Sequence, residues 1–322
     1  MTVSETADRQ YDAILLVSFG GPEGRDDVIP FLENVLRGKN VPRERILEVA
    51  EHYYHFDGIS PINAQCRALL AAMQQELTQH GIDLPVYWGN RNWDPLLPDT
   101  LAEMKAAGIK RALAFVTAAY GSYSSCRQYR EDIENAQQAV GEDAPVVDKI
   151  RAFYNHPDFV AAGSDTVAAA LDQIEADRRD DVHIVFTAHS IPNSMSDTSD
   201  YVVQMTEASR LVADSIGVES DRWQLVYQSR SGPPHVPWLE LDVCDHLRHL
   251  HQQGVRDVVV MPIGFLSDHM EVLYDLDEEA QTVCQDIGLN MIRAATVGTH
   301  PRFITMVRKL IEERLNGTPP EA

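Results

Sequence analysis

No stretch of this chain approaches the ~20 uninterrupted apolar residues that a membrane-spanning helix needs. Its start, Met1 to Tyr11, is polar and acidic and has no apolar signal core, so a cytoplasmic protein without a membrane span is expected. Cysteine is scarce: Cys66, Cys126, Cys244 and Cys284 lie far apart and none stands at C-x-x-C spacing, which argues against a zinc ribbon or an iron–sulfur cluster. We expect reduced thiols, mostly buried. Positive charge is in deficit, with 27 basic residues against 49 acidic ones and a formal net charge of -22. That balance disfavours nucleic acid and anionic membranes as partners and favours the attraction of cations. Two catalytic signatures are also missing. No G-x-S-x-G elbow exists, and adjacent His189 and Ser190 point apart at a strand end, so a serine hydrolase is excluded. The run Phe19-Gly20-Gly21-Pro22-Glu23-Gly24 is not G-x-G-x-x-G, and its proline lacks the N–H a pyrophosphate would need, which argues against a nucleotide cofactor.

The chain does have enough material for two cores. Its 322 residues, 44% hydrophobic, suit two domains of roughly 150 residues each. Short β-rich apolar runs (13–19, 86–88, 112–117, 183–188, 225–227 and 258–263) alternate with amphipathic helical patterns at 63–80, 98–107, 201–215 and 243–253. This is the α/β pattern of parallel sheets built from βα units. The runs also repeat in order. Ile14–Gly20 corresponds to Ile184–Ser190, Tyr87–Arg91 echoes Val226–Arg230, and Gly108-Ile109-Lys110-Arg111 with its following strand matches Gly254-Val255-Arg256-Asp257 with its own. We therefore expect two similar Rossmann-like domains, 1–150 and 151–315, whose strand ends can face one cleft. Residues 316–322, bearing proline and glutamate, are expected to be a disordered tail.

The most informative stretch is 264–279, where an apolar strand passes through Gly264 into a sequence loaded with carboxylates. On a helix, Asp268, Glu271, Asp275 and Glu279 share one stripe, while Val272, Leu273 and Leu276 form an apolar stripe that can seat it. Stacked like charges cost stability. A solvated acidic face is the ordinary explanation for such a pattern. The position just beyond a core strand, where α/β proteins hold ligands, favours a functional one. His189 likewise follows directly on a buried strand, in Phe186-Thr187-Ala188-His189-Ser190-Ile191-Pro192. One imidazole nitrogen with one carboxylate makes a borderline site suited to a transiently held divalent ion such as Fe²⁺. Aromatic residues gather in the first half, among them Phe19, Tyr53, Trp88, Trp93, Tyr123 and Tyr129. Around strand ends they can wall a flat aromatic ligand, with Arg37 available for peripheral carboxylates.

From Ala13 to about Glu313 the chain resembles the ferrochelatases. The resemblance is carried by Ser18-Phe19-Gly20-Gly21-Pro22, Gly58-Ile59-Ser60-Pro61, Thr187-Ala188-His189-Ser190-Ile191-Pro192, Gln228-Ser229-Arg230, Pro237-Trp238-Leu239 and the run Gly264 to Asp275. It implies a two-domain chelatase fold that holds a porphyrin between its domains and inserts Fe²⁺. His189 and Glu271 are then the catalytic and metal-handling pair. Asp268, His269, Asp275 and Glu279 form a surrounding shell and conduit. Within the family the pattern is most similar to the coproporphyrin III enzymes, including Gly89-Asn90-Arg91-Asn92-Trp93. Ser60 and Tyr129 then match porphyrin-contacting positions, Phe19 lies on the face opposite the histidine, and Arg37, His52, Tyr53 and Tyr123 line the propionate end. Phe19 stands where some relatives have an iron-ligating tyrosine, His52 where an arginine is frequent, and Leu241 where proline is usual. The substrates are porphyrin and Fe²⁺, with no resident cofactor and no [2Fe–2S] cluster, and a monomer is the default. The alternatives are a cobalt or nickel chelatase acting on another tetrapyrrole, and a non-catalytic haem or porphyrin carrier.

Overall fold

The structure is a computed structural model that describes residues 11–39, 41–121, 127–232 and 235–317. Among these residues eight strands form two separate sheets of four. The first sheet holds β1 (Ala13–Ser18), β2 (Val86–Asn90), β3 (Arg111–Val116) and β4 (Val146–Lys149) in the order β2-β1-β3-β4. The second holds β5 (His183–His189), β6 (Trp223–Gln228), β7 (Asp257–Met261) and β8 (Asn290–Arg293) in the order β6-β5-β7-β8. Every pairing is parallel. Parallel neighbours need crossover helices, which bury both sheet faces, and this is why 13–17 of β1 and 258–261 of β7 read as apolar runs and every residue of both strands is buried.

Two compact units result. One comprises 11–117, 127–152 and 304–317; the other comprises 118–121 and 153–303 among the described residues. The division drawn from sequence, 1–150 and 151–315, differs from these chiefly at the end of the chain. The last helix, Pro301–Leu315, is anchored from residue 304 onward to the first unit, because its charged face finds partners there. Arg308 pairs with Glu76 at 2.9 Å, Glu313 accepts from Arg151 at 3.0 Å, and Arg314 donates to Tyr11 at 2.8 Å. Of the tail, Asn316 and Gly317 close that helix in a turn, with Asn316 N–H donating to Glu312 O at 2.9 Å; 318–322 lie outside the described residues.

The internal repeat has a definite register. Ile14 pairs with Val86 and Leu113, and Ile184 pairs with Trp223 and Val259. The match of β1 with β5 and of β3 with β7 therefore holds residue for residue. The match of β2 with β6 is shifted: Tyr87 is the counterpart of Gln224, two residues before Val226. A shift of two keeps every side chain on its own face, so the pattern of apolar and polar residues does not reveal it. In this register Phe19 is the counterpart of His189, and Arg91 that of Gln228.

Helices agree closely with the expected ones: Ile62–Gln79, Leu97–Ala106, Tyr201–Ser215 and Val243–Gln252. In the second unit, Val185, Val226, Val258 and Val260 of the sheet pack with Leu247 and Leu250 of the 243–252 helix, and with Val272 and Leu276 of the acidic segment. Burying such side chains contributes about 1.5–3 kcal/mol each. That contribution holds the acidic segment in place despite its charge. Cys66 and Cys284 are buried and Cys244 is partly buried, all three as free thiols; Cys126 lies outside the described residues.

Candidate active site

Gly264 begins the turn out of β7, and its backbone passes directly over β5. A Cβ there would stand 2.8 Å from the Cα of Ala188, closer than real side chains come. Only glycine lets the two strand ends approach this far. The Gly264 N–H donates to the Thr187 carbonyl at 3.0 Å, two residues before His189.

The acidic segment departs from a single regular helix. His269 is extended (φ -144°) and acts as its N-cap, Met270–Val272 opens it, Leu273–Ala280 is a π-helix, and Gln281–Ile287 continues as α-helix. Asp268 accordingly lies ahead of the helix and not on its stripe, a correction to the sequence reading. Its carboxylate accepts from Arg293 at 3.2 and 3.4 Å and from Thr296 at 3.2 Å. A side-chain cap competes with continued helix, and here the imidazole of His269 takes the Glu271 N–H at 3.2 Å. Because Nδ1 of His269 accepts this bond, it carries no proton. Burial lowers the pKa of His269, and the neighbouring His189 adds to that lowering.

His189 ends β5. Its Nδ1 donates to the Ser190 carbonyl, which turns Nε2 toward Oε1 of Glu271 at 3.4 Å. Tyr201, at the start of its helix, donates to the His189 carbonyl at 3.0 Å and steadies the strand end. Burial pulls the imidazole pKa down, but the Glu271 carboxylate outweighs it and raises the pKa to about 9. Reciprocally, burial opposes ionisation of Glu271, and the His189 charge overcomes it and lowers the carboxyl to about 2. The other carboxylate oxygen lies 3.9 Å from Nδ1 of His269. Glu271 is nonetheless 46% exposed, so it is held from behind and open in front.

One π-helical step on, Asp275 accepts from Ser229 Oγ and from Gln228 Nε2, the latter at 3.3 Å. Ser229 takes φ 60°, a left-handed conformation that costs a non-glycine residue energy and aims its hydroxyl at Asp275. The Gln228 amide also reaches the Glu271 carbonyl at 3.1 Å. Burial, reinforced by the charges of Glu271 and Glu279, raises Asp275 to about 7. Glu279 is raised too, by burial and by Asp242. Among the described residues, no group of three or more His, Cys, Asp or Glu is arranged to hold a metal ion.

In the first unit, Phe19 meets Phe31 edge-on at 6.2 Å, and Tyr53 meets the same ring at 5.8 Å. The Arg91 guanidinium lies 5.6 Å from the Phe19 ring and 4.6 Å from that of Tyr129, and pairs with Asp132. Phe19, Tyr53 and Tyr129 thus share one aromatic neighbourhood at the strand ends. Tyr129 is buried and its pKa raised by that burial. Ser60 is buried, its N–H donating to Pro22 O at 2.9 Å. His52 is partly buried, and that burial together with nearby Arg45 lowers its pKa. Arg37 is exposed, and its described bond goes to Asn34 at 2.6 Å. Tyr123 lies outside the described residues. Sequence reasoning passed over Arg91, Tyr201, Gln228, Ser229 and Arg293 as working residues. Only Arg91, Gln228 and Ser229 carried a signal, through the family runs that contain them.

Two parallel sheets with one strand order, flanked by helices, place the protein in the chelatase fold class. SirB from Bacillus subtilis, solved with Fe³⁺, has this fold (TM-score 0.59, 13% identity, 97% of this chain and 100% of that one). So does the cobalt complex of the sirohydrochlorin chelatase SirB (TM-score 0.54, 13% identity, 97% and 100%). The chain itself belongs to the ferrochelatase family, whose model matches residues 11–315. It is 58% identical to the ferrochelatase of Rhodopirellula baltica, over 95% of this chain and 86% of that protein. It is 53% identical to the coproporphyrin III ferrochelatase of Streptomyces coelicolor, over 94% and 85%. No described helix is long and apolar enough to cross a membrane.

Proposed function

We propose that the protein inserts ferrous iron into coproporphyrin III to give coproheme III, with His189 and Glu271 as the working pair. The observation that carries this is Nε2 of His189 standing 3.4 Å from the half-exposed carboxylate of Glu271, whose backbone N–H a second imidazole, His269, caps. The coproporphyrin III assignment is supported by relatives of that name at 46–53% identity.

Insertion exchanges two pyrrole protons for one dication. In the free protein His189 is held protonated by Glu271. A hydrated Fe²⁺ arriving at Glu271 cancels the negative charge that raises the imidazole pKa, and adds positive charge beside it. Metal arrival thereby lowers the imidazole pKa, so that His189 gives up its proton toward Asp275 and is left neutral to accept one from a pyrrole nitrogen, coupling proton release to metal entry. One imidazole and one carboxylate give a weak, exchangeable set that releases iron to the macrocycle. Asp275, titrating near neutrality, is suited to take the proton onward, with Glu279 beyond it. Asp268 and His269 support the entry to this segment.

Phe19, Tyr53, Ser60 and Tyr129 are assigned to the porphyrin, with Arg37 and His52 toward its propionates; the buried aromatic neighbourhood around Phe31 supports the first two. Phe19 has no atom that ligates iron. A monomer working in the cytoplasm without a resident cofactor completes the reading, in keeping with the acidic net charge of -22.

The test is anaerobic insertion with Fe²⁺, Co²⁺ and Ni²⁺ against coproporphyrin III, protoporphyrin IX and sirohydrochlorin. The expected result is preferred turnover of Fe²⁺ with coproporphyrin III. Preference for sirohydrochlorin, or tight porphyrin binding without turnover, contradicts it.

A further inference from the structure

Arg293, the last residue of the edge strand β8, joins two carboxylates that flank the catalytic turn. Its Nη1 and Nη2 donate to the two oxygens of Asp268, at 3.2 and 3.4 Å, while Nε donates to Asp277. Nη1 also reaches the Ala294 carbonyl at 3.4 Å, and the guanidinium side chain is only 19% exposed. Asp268 directly precedes the cap residue His269, and Asp277 lies within the π-helix. Glu271 and Asp275 fall between the two anchor points. Thr296 adds a bond to Asp268 at 3.2 Å, and Gly298 N–H donates to Leu266 O at 2.7 Å, so the irregular stretch following Arg293 and the stretch before the helix are tied at several points.

We propose that Arg293 is a positioning residue for iron insertion: by stapling Asp268 to Asp277 it fixes the capped turn that carries Glu271, and so the place of the Glu271 carboxylate. This rests on the reading of Glu271 given above. The chain of contacts is short. Asp268 sets the cap, the cap imidazole holds the Glu271 N–H, and the far anchor stops the π-helix from rewinding past it. A π-helical stretch has a neighbouring α-helical alternative with a different hydrogen-bond count, so its register needs an external anchor. The guanidinium suits the task because its planar fork bonds separate acceptors in fixed directions, which the point charge of lysine does not.

The experiment compares wild type, Arg293→Lys and Asp277→Ala in two readouts. In steady-state insertion of Fe²⁺ into coproporphyrin III, both variants are expected to lose about 10- to 100-fold in kcat with the porphyrin KM unchanged, from the cost of displacing a catalytic group by about 1 Å. In amide hydrogen exchange, residues 269–279 are expected to exchange on the order of tenfold faster in both variants, while β5 and β7 keep their protection. Asp277→Ala removes the far acceptor and leaves the Arg293–Asp268 bonds, so it tests the staple even where Arg293→Lys fails to fold. Wild-type kcat in folded Asp277→Ala, a loss confined to KM, or unchanged exchange over 269–279 overturns the proposal. A wild-type protein that inserts no iron overturns the functional reading instead, and exchange still decides the staple.

Discussion

Nε2 of His189 and Oε1 of Glu271 stand 3.4 Å apart, and each holds the other in its charged form. The imidazole pKa is raised from 6.5 to about 9, so its contribution to stability is complete below pH 6.5 and is lost as pH rises through 9. The carboxyl is lowered from 4.5 to about 2, so its contribution is complete above pH 4.5 and is lost as pH falls through 2. The pair thus stabilises the fold most between those two limits, from pH 4.5 to 6.5. Urea unfolding of wild type and Glu271→Gln across pH should show the largest difference in that window and a shrinking one on either side. A difference constant from acid to alkaline pH contradicts the coupling.

Asp275 has the opposite sign. Its pKa is raised from 3.8 to about 7, so burying it costs nothing below pH 3.8, costs progressively more as pH rises from there toward 7, and carries its full penalty above 7. Asp275→Asn, which still accepts from Ser229, should therefore be more stable than wild type at alkaline pH by at least about 1 kcal/mol, since one pKa unit corresponds to 1.36 kcal/mol. The advantage should vanish in acid. Equal stabilities at alkaline pH would show that Asp275 is not strained as an anion.

The close approach of Gly264 to Ala188 makes a steric prediction. Gly264→Ala places a methyl 2.8 Å from backbone, and should destabilise by about 1–3 kcal/mol, the usual cost of overpacking. Gly24→Ala meets nothing within 4 Å and serves as the control, with an unchanged melting temperature. Because Ala188 adjoins His189, insertion by Gly264→Ala should also fall. A neutral Gly264→Ala contradicts the packing described.

In the first unit, Arg91→Met removes the partner of Asp132 and the cation between the Phe19 and Tyr129 rings. A destabilisation of about 1–3 kcal/mol is expected from an acceptor left without its charged donor. Weaker coproporphyrin binding, read by fluorescence quenching, should accompany it. Unchanged binding would remove this neighbourhood from the porphyrin assignment.

Much of this was legible in the residues. Strands β1, β3, β5 and β7 announce themselves as apolar runs because both faces are buried. Two of the edge strands do not: β4 (Val146–Lys149) and β8 (Asn290–Arg293) are only four residues each and half polar. His189 and Glu271 could be named because each follows a strand end. Their spacing could not, since it depends on Gly264, the His269 cap and the π-helix. Nothing in Leu273–Ala280 distinguishes π from α winding, because the difference lies in which carbonyl each amide chooses. Arg293 was invisible for a related reason: its partners, Asp268 and Asp277, become neighbours only once the helix is capped between them.

The measurement that tests the central claim most directly is anaerobic insertion of Fe²⁺ into coproporphyrin III by wild type, His189→Ala and Glu271→Gln, with porphyrin binding measured alongside. Both variants should bind the porphyrin as wild type does, and His189→Ala should lose at least ~100-fold in turnover, the scale of a general base. Turnover at the wild-type rate in either variant would contradict the account.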